Sequence, residues 1–256
     1  GGTAVGSSSL DAIDTAAADG DISDTDAVRY KVFAVFGDDR LPAAYRDDTR
    51  FEGTSVMAEL DREWSTLPGD VQDELAPFLL PPVAEGSWYD LRTKASSPDA
   101  GADKAPAFSE VSAIGGEVRI RFPTVHNDLA FQAGVVKEAL EADGVWDREI
   151  ALMGHEPLSD GGIDEDYNGG DDRFDSYIVR QSEITSDPDL KTCYGWATTY
   201  APGFFADLTG DESRAGYIVI NADIAQTDAE LKATVAHEFM HVLHYAFDVP
   251  YYENWS

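Results

Sequence analysis

The chain has 256 residues, which allows one large domain or two small ones, and 43% of them are hydrophobic, as in an ordinary globular protein. Its 49 acidic and 18 basic side chains give a formal net charge of −31. This balance excludes a nucleic-acid-binding protein, because phosphate binding needs clustered Lys and Arg. No run approaches the roughly 20 apolar residues of a membrane-spanning helix, so we expect no membrane span.

The large negative charge has three candidate causes: calcium binding, a salt-rich habitat or solubility. The acidic residues are spread along the chain, whereas a calcium site uses only a local cluster. We therefore attribute most of the charge to solubility or salt, and one cluster to calcium. The single cysteine, Cys193, excludes an internal disulfide and a multi-cysteine metal site, and we expect it to be a small buried residue.

The first 95 residues are predicted to form a small helical domain. Apolar residues recur there at helical spacing in short segments that are followed by Gly or Pro as stop signals. The segments are 10–19, 24–36, 54–67 and 71–80. They contain no catalytic arrangement of residues, so we expect this domain to pack its own apolar stripes, as a propeptide or as a brace.

A stretch of small and polar residues broken by proline, 96–106, follows the helical segments. It has no apolar periodicity and is the best linker in the chain. We therefore predict a linker over 96–115, between the helical domain (1–95) and a second domain (116–256).

The second domain is predicted to be α+β, with a mixed sheet and a helix that carries the site. Residues 117–122 alternate between apolar and polar, as a half-buried strand does. A helix is expected from Asn127 or Asp128 to about Glu141. Further strands are predicted at 174–179, 193–200 and 216–221.

The strongest motif, His-Glu-Phe-Met-His, occupies 237–241 in a predicted helix. Thr227 and Glu230 are placed to form a capping box at the start of that helix. At about 100° per residue, His237 and His241 share one face, and Glu238 lies about a quarter turn away. Two neutral imidazoles suit zinc, and a nearby carboxylate can take a proton from a water molecule on the metal. The motif predicts a Zn2+ site with His237 and His241 as ligands and Glu238 as the general base.

The sequence leaves the third zinc ligand open. A catalytic zinc site has three protein ligands in a tetrahedral arrangement. Because two of them come from one helix here, the third ligand should come from another segment of the chain. His244 lies a turn further along the same helix, so we interpret it as a core residue or a neighbour of the ligands. Glu253 follows Pro250, where the helix must have ended, and is one candidate. The other is a residue beyond Ser256.

A second cluster of oxygen-bearing side chains, at 164–175, resembles a twelve-residue calcium loop. Gly169 takes the sixth position, where the chain must turn sharply, and the last position holds Asp instead of the usual Glu. No pair of helices flanks the cluster, so we predict a Ca2+ loop within the second domain. The alternative is an acidic surface turn that needs no ion. The predicted ligands are Asp164, Asp166, Asn168, Gly170, Asp172 and Asp175.

Residues 236–248 and 252–256 resemble the active-site helix of gluzincin-type HExxH zinc metallopeptidases and the segment after it. The resemblance is closest to a family of secreted bacterial metalloproteases, and it extends over 13–45, 78–82 and 161–177. It implies a zincin-like fold for 116–256, secretion, a protein or peptide substrate, and a second helix whose Glu completes the zinc site. Because the sequence stops where that helix should begin, the resemblance also implies a protein that continues or has been cut.

We therefore hypothesise a secreted zinc-dependent peptidase. If strand 216–221 is the sheet edge beside the cleft, it can hold the substrate by strand addition. The alternative is a non-catalytic extracellular binding or surface module, stabilised by calcium, on a zincin scaffold. That alternative predicts calcium-dependent melting and no peptide cleavage.

Overall fold

The computed structural model describes residues 8–47, 53–96, 106–161, 163, 167–185, 193–200, 214–224 and 227–246. These residues form an α+β fold in which a five-stranded mixed sheet lies between two layers of helices. The α+β class and the mixed sheet predicted from the sequence are confirmed. No helix in these ranges is long and apolar enough to cross a membrane.

Among the described residues, five α-helices precede the first strand, two lie between the second and third strands, one lies between the third and fourth, and one follows the fifth. The α-helices are α1 (Ser9–Ala18), α2 (Asp24–Val35), α3 (Thr54–Glu63), α4 (Gly69–Leu79), α5 (Trp88–Ser96), α6 (Ala130–Glu141), α7 (Val145–Met153), α8 (Gln181–Ile184) and α9 (Asp228–Tyr245). The strands are β1 (Phe108–Ala113), β2 (Val118–Pro123), β3 (Phe174–Val179), β4 (Gly195–Thr199) and β5 (Gly216–Asn221).

The strand order in the sheet is β1-β2-β3-β5-β4. β1 and β2 are antiparallel, β2, β3 and β5 run parallel, and β4 lies antiparallel to β5 at the edge. Strand 216–221 is therefore not at the sheet edge, so the condition under which it would bind substrate by strand addition is not met. β4, which precedes β5 in sequence, pairs on its outer side, with Ala197 opposite Ile218. Hydrophobic periodicity identifies a strand but does not indicate which strand will be its neighbour.

Alternate residues of the strands enter two cores, one on each face of the sheet. Ile120, Ile178 and Ile220 belong to the core that α6, α7 and α9 cover. Tyr177 and Val219 belong to the opposite core, which is covered by the helices that precede the sheet in sequence. Every residue of β3, β4 and β5 is buried, as expected of strands with helices on both sides.

The helices before the sheet share a hydrophobic core with it. Phe36, which follows α2, and Trp88 of α5 both contact Trp196 of β4, with ring centroids 5.1 and 5.7 Å apart. Aromatic rings at these distances attract one another in addition to burying apolar area. The expectation that residues 1–95 pack only their own apolar stripes is corrected, because those stripes are buried against the sheet.

β1 lies inside the segment 96–115 that the sequence predicts as a linker. Its first residue, Phe108, contacts Tyr89 and Tyr177, with ring centroids 5.2 and 6.0 Å apart. The strand contains only two large apolar residues, Phe108 and Val111, so its pattern was too weak to predict it. The linker prediction is wrong for this strand, and residues 97–105 lie outside the described ranges.

α9 begins as predicted. Thr227 Oγ1 accepts a 3.2 Å hydrogen bond from the Glu230 amide, and the Glu230 carboxylate accepts a 3.0 Å bond from the Thr227 amide. The predicted capping box is confirmed. Phe239 of α9 stacks on Trp146 of α7 with centroids 4.9 Å apart. α9 is thereby held against α6 and α7 on one side and against β4 and β5 on the other.

Candidate metal centre

His237 and His241 lie one turn apart on α9 and direct the same ring nitrogen toward each other. Their Nε2 atoms are 3.0 Å apart, and their ring planes meet at 88°. Two nitrogen ligands of a tetrahedral zinc ion are roughly 3.3 Å apart, given zinc–nitrogen bonds of about 2.0–2.1 Å. The separation of the two nitrogen atoms is therefore close to that of two zinc ligands.

The surroundings of His241 favour its neutral form. Burial, together with the neighbouring His237 and His244, lowers the pKa of His241 to about 3. A neutral imidazole offers a lone pair to a metal ion, whereas a protonated one does not. His241 is therefore in its metal-binding protonation state at neutral pH.

Glu238 is directed into the protein and is only 2% exposed, whereas His237 is exposed. Its Oε2 accepts a 2.7 Å hydrogen bond from Thr54 Oγ1 of α3. The carboxylate thus lies where α9 meets α3, to one side of the histidine pair, as the helical offset predicts.

Thr54 is a residue of the site that sequence reasoning missed. It is the first residue of α3 and fully buried, and it lies 184 positions before Glu238. Its Oγ1 also accepts a 2.8 Å hydrogen bond from the amide of Ala197 in β4. Nothing in the local sequence distinguishes Thr54 from the start of any amphipathic helix, so only a contact between distant segments identifies it.

The described residues do not supply a third ligand. No group of three His, Cys, Asp or Glu side chains among them is arranged to hold a metal ion. The ring centroids of His241 and His244 are 6.2 Å apart, against 4.4 Å for His237 and His241. Glu253, the candidate ligand, lies outside the described residues.

Arginine side chains hold the described part of the predicted calcium loop. Arg119 donates to both carboxylate oxygens of Asp175, at 2.9 and 3.0 Å. It also donates to the carbonyl oxygens of Gly169 at 2.9 Å and Asn168 at 3.2 Å. Arg121 reaches the same Gly169 oxygen at 2.5 Å. These guanidinium groups thus bind the carboxylate of Asp175, a predicted calcium ligand, and two backbone carbonyl oxygens of the loop.

Two other predicted calcium ligands that the structure describes, Asp172 and Asn168, have surroundings different from those of Asp175. Asp172 is exposed, whereas Asp175 is fully buried. The side-chain oxygen of Asn168 accepts a 2.8 Å hydrogen bond from the amide of Gly170. The described geometry therefore gives no support to a calcium ion held by Asp175. Asp164 and Asp166 lie outside the described residues, and for them calcium stays a prediction.

No family model, no curated protein and no solved structure matches this chain. The functional interpretation therefore depends on the arrangement of side chains around α9 and on the sequence resemblance.

Proposed function

We propose that the chain is a secreted, zinc-dependent peptidase with a zincin-like architecture that hydrolyses peptide bonds. The observation that carries the proposal is the 3.0 Å approach of His237 Nε2 to His241 Nε2 on the helix that also holds Glu238. The resemblance of 236–248 to the active-site helix of gluzincin-type metallopeptidases supports the reaction, the peptide substrate and secretion.

Each residue of the motif has one role in this proposal. His237 and His241 hold the metal ion through Nε2. Bound zinc supplies Lewis acidity, which makes a water molecule acidic and polarises a carbonyl group. Glu238 takes the proton from the attacking water and delivers it to the departing amine. Glu253 and a residue beyond Ser256 are the two candidates for the third protein ligand.

Zinc content and peptide cleavage, measured on the same preparations, test the proposal. We expect about one zinc ion per chain by elemental analysis, because the distance between the two Nε2 atoms is already close to that between two nitrogen ligands of zinc. His237→Ala and His241→Ala should lose the metal. His155→Ala removes an exposed histidine that follows α7 and should retain it. A folded parent protein that takes up no zinc would contradict the metal site.

Glu238→Gln separates metal binding from catalysis in the same experiment. The variant should keep its zinc, since Glu238 is not a ligand, and should cleave casein or a fluorogenic peptide about 10²- to 10⁴-fold more slowly. Equal rates in the parent and the variant would overturn the role of Glu238. A parent protein that binds zinc but cleaves no peptide would favour the non-catalytic binding module.

A further inference from the structure

Thr54 connects three elements at the candidate site. Its Oγ1 lies 2.7 Å from Glu238 Oε2 in α9 and 2.8 Å from the amide nitrogen of Ala197 in β4. Thr54 is 0% exposed and Glu238 is 2% exposed. A buried hydroxyl group therefore meets the buried carboxylate beside the edge strand of the sheet.

The chemistry of the partners determines the direction of both hydrogen bonds. A backbone amide only donates, so the bond from Ala197 uses a lone pair of Thr54 Oγ1. An ionised carboxylate only accepts, so the hydroxyl hydrogen of Thr54 goes to Glu238. The hydroxyl group cannot turn its hydrogen elsewhere without losing this charge-assisted bond. The Glu238 carboxylate is consequently held in one orientation relative to β4.

The sheet fixes the position of the amide that binds Thr54. The Asn221 amide donates to the Tyr194 carbonyl at 2.8 Å, so these two residues form a hydrogen-bonded pair of the antiparallel ladder. Hydrogen-bonded and outward-facing positions alternate along such a strand. Ala197, three residues after Tyr194, therefore presents its N–H away from β5, toward Thr54.

The backbone before Thr54 comes unusually close to β4. A Cβ atom added to Gly53 would lie 2.9 Å from Cys193 Sγ and 3.2 Å from Trp196 Cβ. Only glycine permits this approach, because real Cβ contacts at such distances require a neighbour to move. The start of α3 is thus set against the edge strand, and the Thr54 hydroxyl has little freedom to shift.

We propose that Thr54 is a positioning residue for Glu238: its hydroxyl group holds the carboxylate in the orientation from which Glu238 takes and returns a proton. The inference rests on the proposed function and deepens it. A Thr54 that only satisfied a buried polar group would affect stability and leave the turnover of folded molecules unchanged.

Substitutions at Thr54 test the role directly. Thr54→Val keeps the shape of the side chain but removes the hydroxyl group, and should lower kcat about 10- to 100-fold with KM and zinc content unchanged. Thr54→Ser keeps the hydroxyl group and should restore most of the rate. Thr185→Val is the matched control, because Thr185 is also buried and its Oγ1 donates to the Gly37 carbonyl at 2.9 Å. It should leave kcat unchanged.

A double-mutant cycle on zinc-free protein gives a readout that does not depend on activity. The free energy of unfolding is measured in urea for the parent, Thr54→Val, Glu238→Gln and the double variant. A neutral amide accepts a weaker hydrogen bond than a carboxylate does, so Thr54→Val should destabilise the Glu238→Gln protein less than the parent.

The outcomes separate this inference from the proposed function. If the two substitutions change the free energy of unfolding additively, the interaction between Thr54 and Glu238 is contradicted. Coupling in the cycle with an unchanged or increased kcat in Thr54→Val would overturn the positioning role. If the parent cleaves no peptide, the proposed function fails and the positioning role fails with it, while the cycle still reports whether the two side chains interact.

Discussion

Asp160 is a buried residue outside the metal site whose carboxyl group is only partly satisfied. The Tyr200 hydroxyl donates to its Oδ2 at 2.5 Å, whereas Oδ1 is buried without a hydrogen-bond partner among the described residues. Burial raises the pKa of Asp160 to about 7; Tyr200 and Arg119 oppose this rise and Asp175 adds to it. In the folded protein the side chain therefore holds its proton up to about neutral pH, whereas an unfolded Asp releases it near pH 4.

Asp160 is expected to contribute a loss of stability as the pH rises from about 4 to above 7. In this window the folded state retains a proton that the unfolded state has lost, so a rise in pH favours unfolding. Asp160→Asn should remove the part of this dependence that comes from Asp160, while Glu149 and Asp175, whose pKa values burial raises to about 7 and about 6, keep their own contributions. At pH 8 the substitution should raise the free energy of unfolding by at most about 4 kcal/mol, the equivalent of about three pKa units, with a smaller gain at pH 5. Urea denaturation at both pH values measures the difference.

Asp172→Asn is the control for that experiment. Asp172 is an exposed carboxylate, so at pH 8 its replacement removes one negative charge, as that of Asp160 does, without relieving burial. We expect little change in stability at either pH. An equal gain from both substitutions would mean that the overall charge, and not the burial of Asp160, limits stability.

The residues of the motif could be predicted from the sequence because helix geometry relates positions three or four apart. The partner of Asp175 could not, since Arg119 lies 56 positions away and the two meet only when β2 pairs with β3. The calcium loop pattern considers only positions within one segment, whereas the guanidinium group that binds the Asp175 carboxylate belongs to another strand. Thr54 could not be predicted for the same reason, because it contacts Glu238 only in the folded protein.

Among the elements, α3 and β4 approach each other closely near the site. A Cβ atom on Gly53 would come within 3.3 Å of the Gly195 carbonyl oxygen, in addition to its contacts with Cys193 and Trp196. Gly53→Ala should therefore lower the free energy of unfolding by about 1–3 kcal/mol, as overpacking does. It should also slow peptide cleavage, because α3 must move away from β4 and take Thr54 with it. Urea denaturation and the peptide assay measure the two effects.

Gly69→Ala gives the matched comparison at the start of another helix. Gly69 is the first residue of α4, and a Cβ atom there would meet nothing within 4 Å. The substitution should be neutral or should stabilise the protein by about 0.4–1 kcal/mol through the unfolded state. Equal destabilisation by both substitutions would contradict the packing argument for Gly53.

Elements with a continuous apolar pattern could be predicted closely. The expected strands 117–122, 174–179 and 216–221 correspond to β2, β3 and β5, and β4 lies within 193–200. α6 begins later than expected, at Ala130 after a 3₁₀ turn, and no side chain caps it. The short helices α5, α7 and α8 were not predicted. Their stability comes from packing on the sheet and its helices, which a local pattern does not contain.

At the scale of the whole molecule, the sheet connects the two helical layers, because its strands contribute side chains to both hydrophobic cores. We therefore expect one cooperative unfolding transition, with superimposable curves from far-UV circular dichroism and tryptophan fluorescence. Trp88 and Trp196 report on one core and Trp146 on the other. Trp146→Phe should leave the fluorescence midpoint equal to that of circular dichroism. Two separate transitions would instead support an independently folded domain over 1–95.

The hydrogen bond from Thr54 to Glu238 also has a consequence for the time at which the site is formed. Its two ends are 184 residues apart, and at roughly 5–20 residues per second α9 is synthesised roughly 10–40 s after α3. The helices before the sheet and the first strands can begin to fold on the ribosome while Glu238 has yet to be made. Glu238, the general base of the proposed peptidase, is therefore synthesised only after the helices before the sheet and the five described strands.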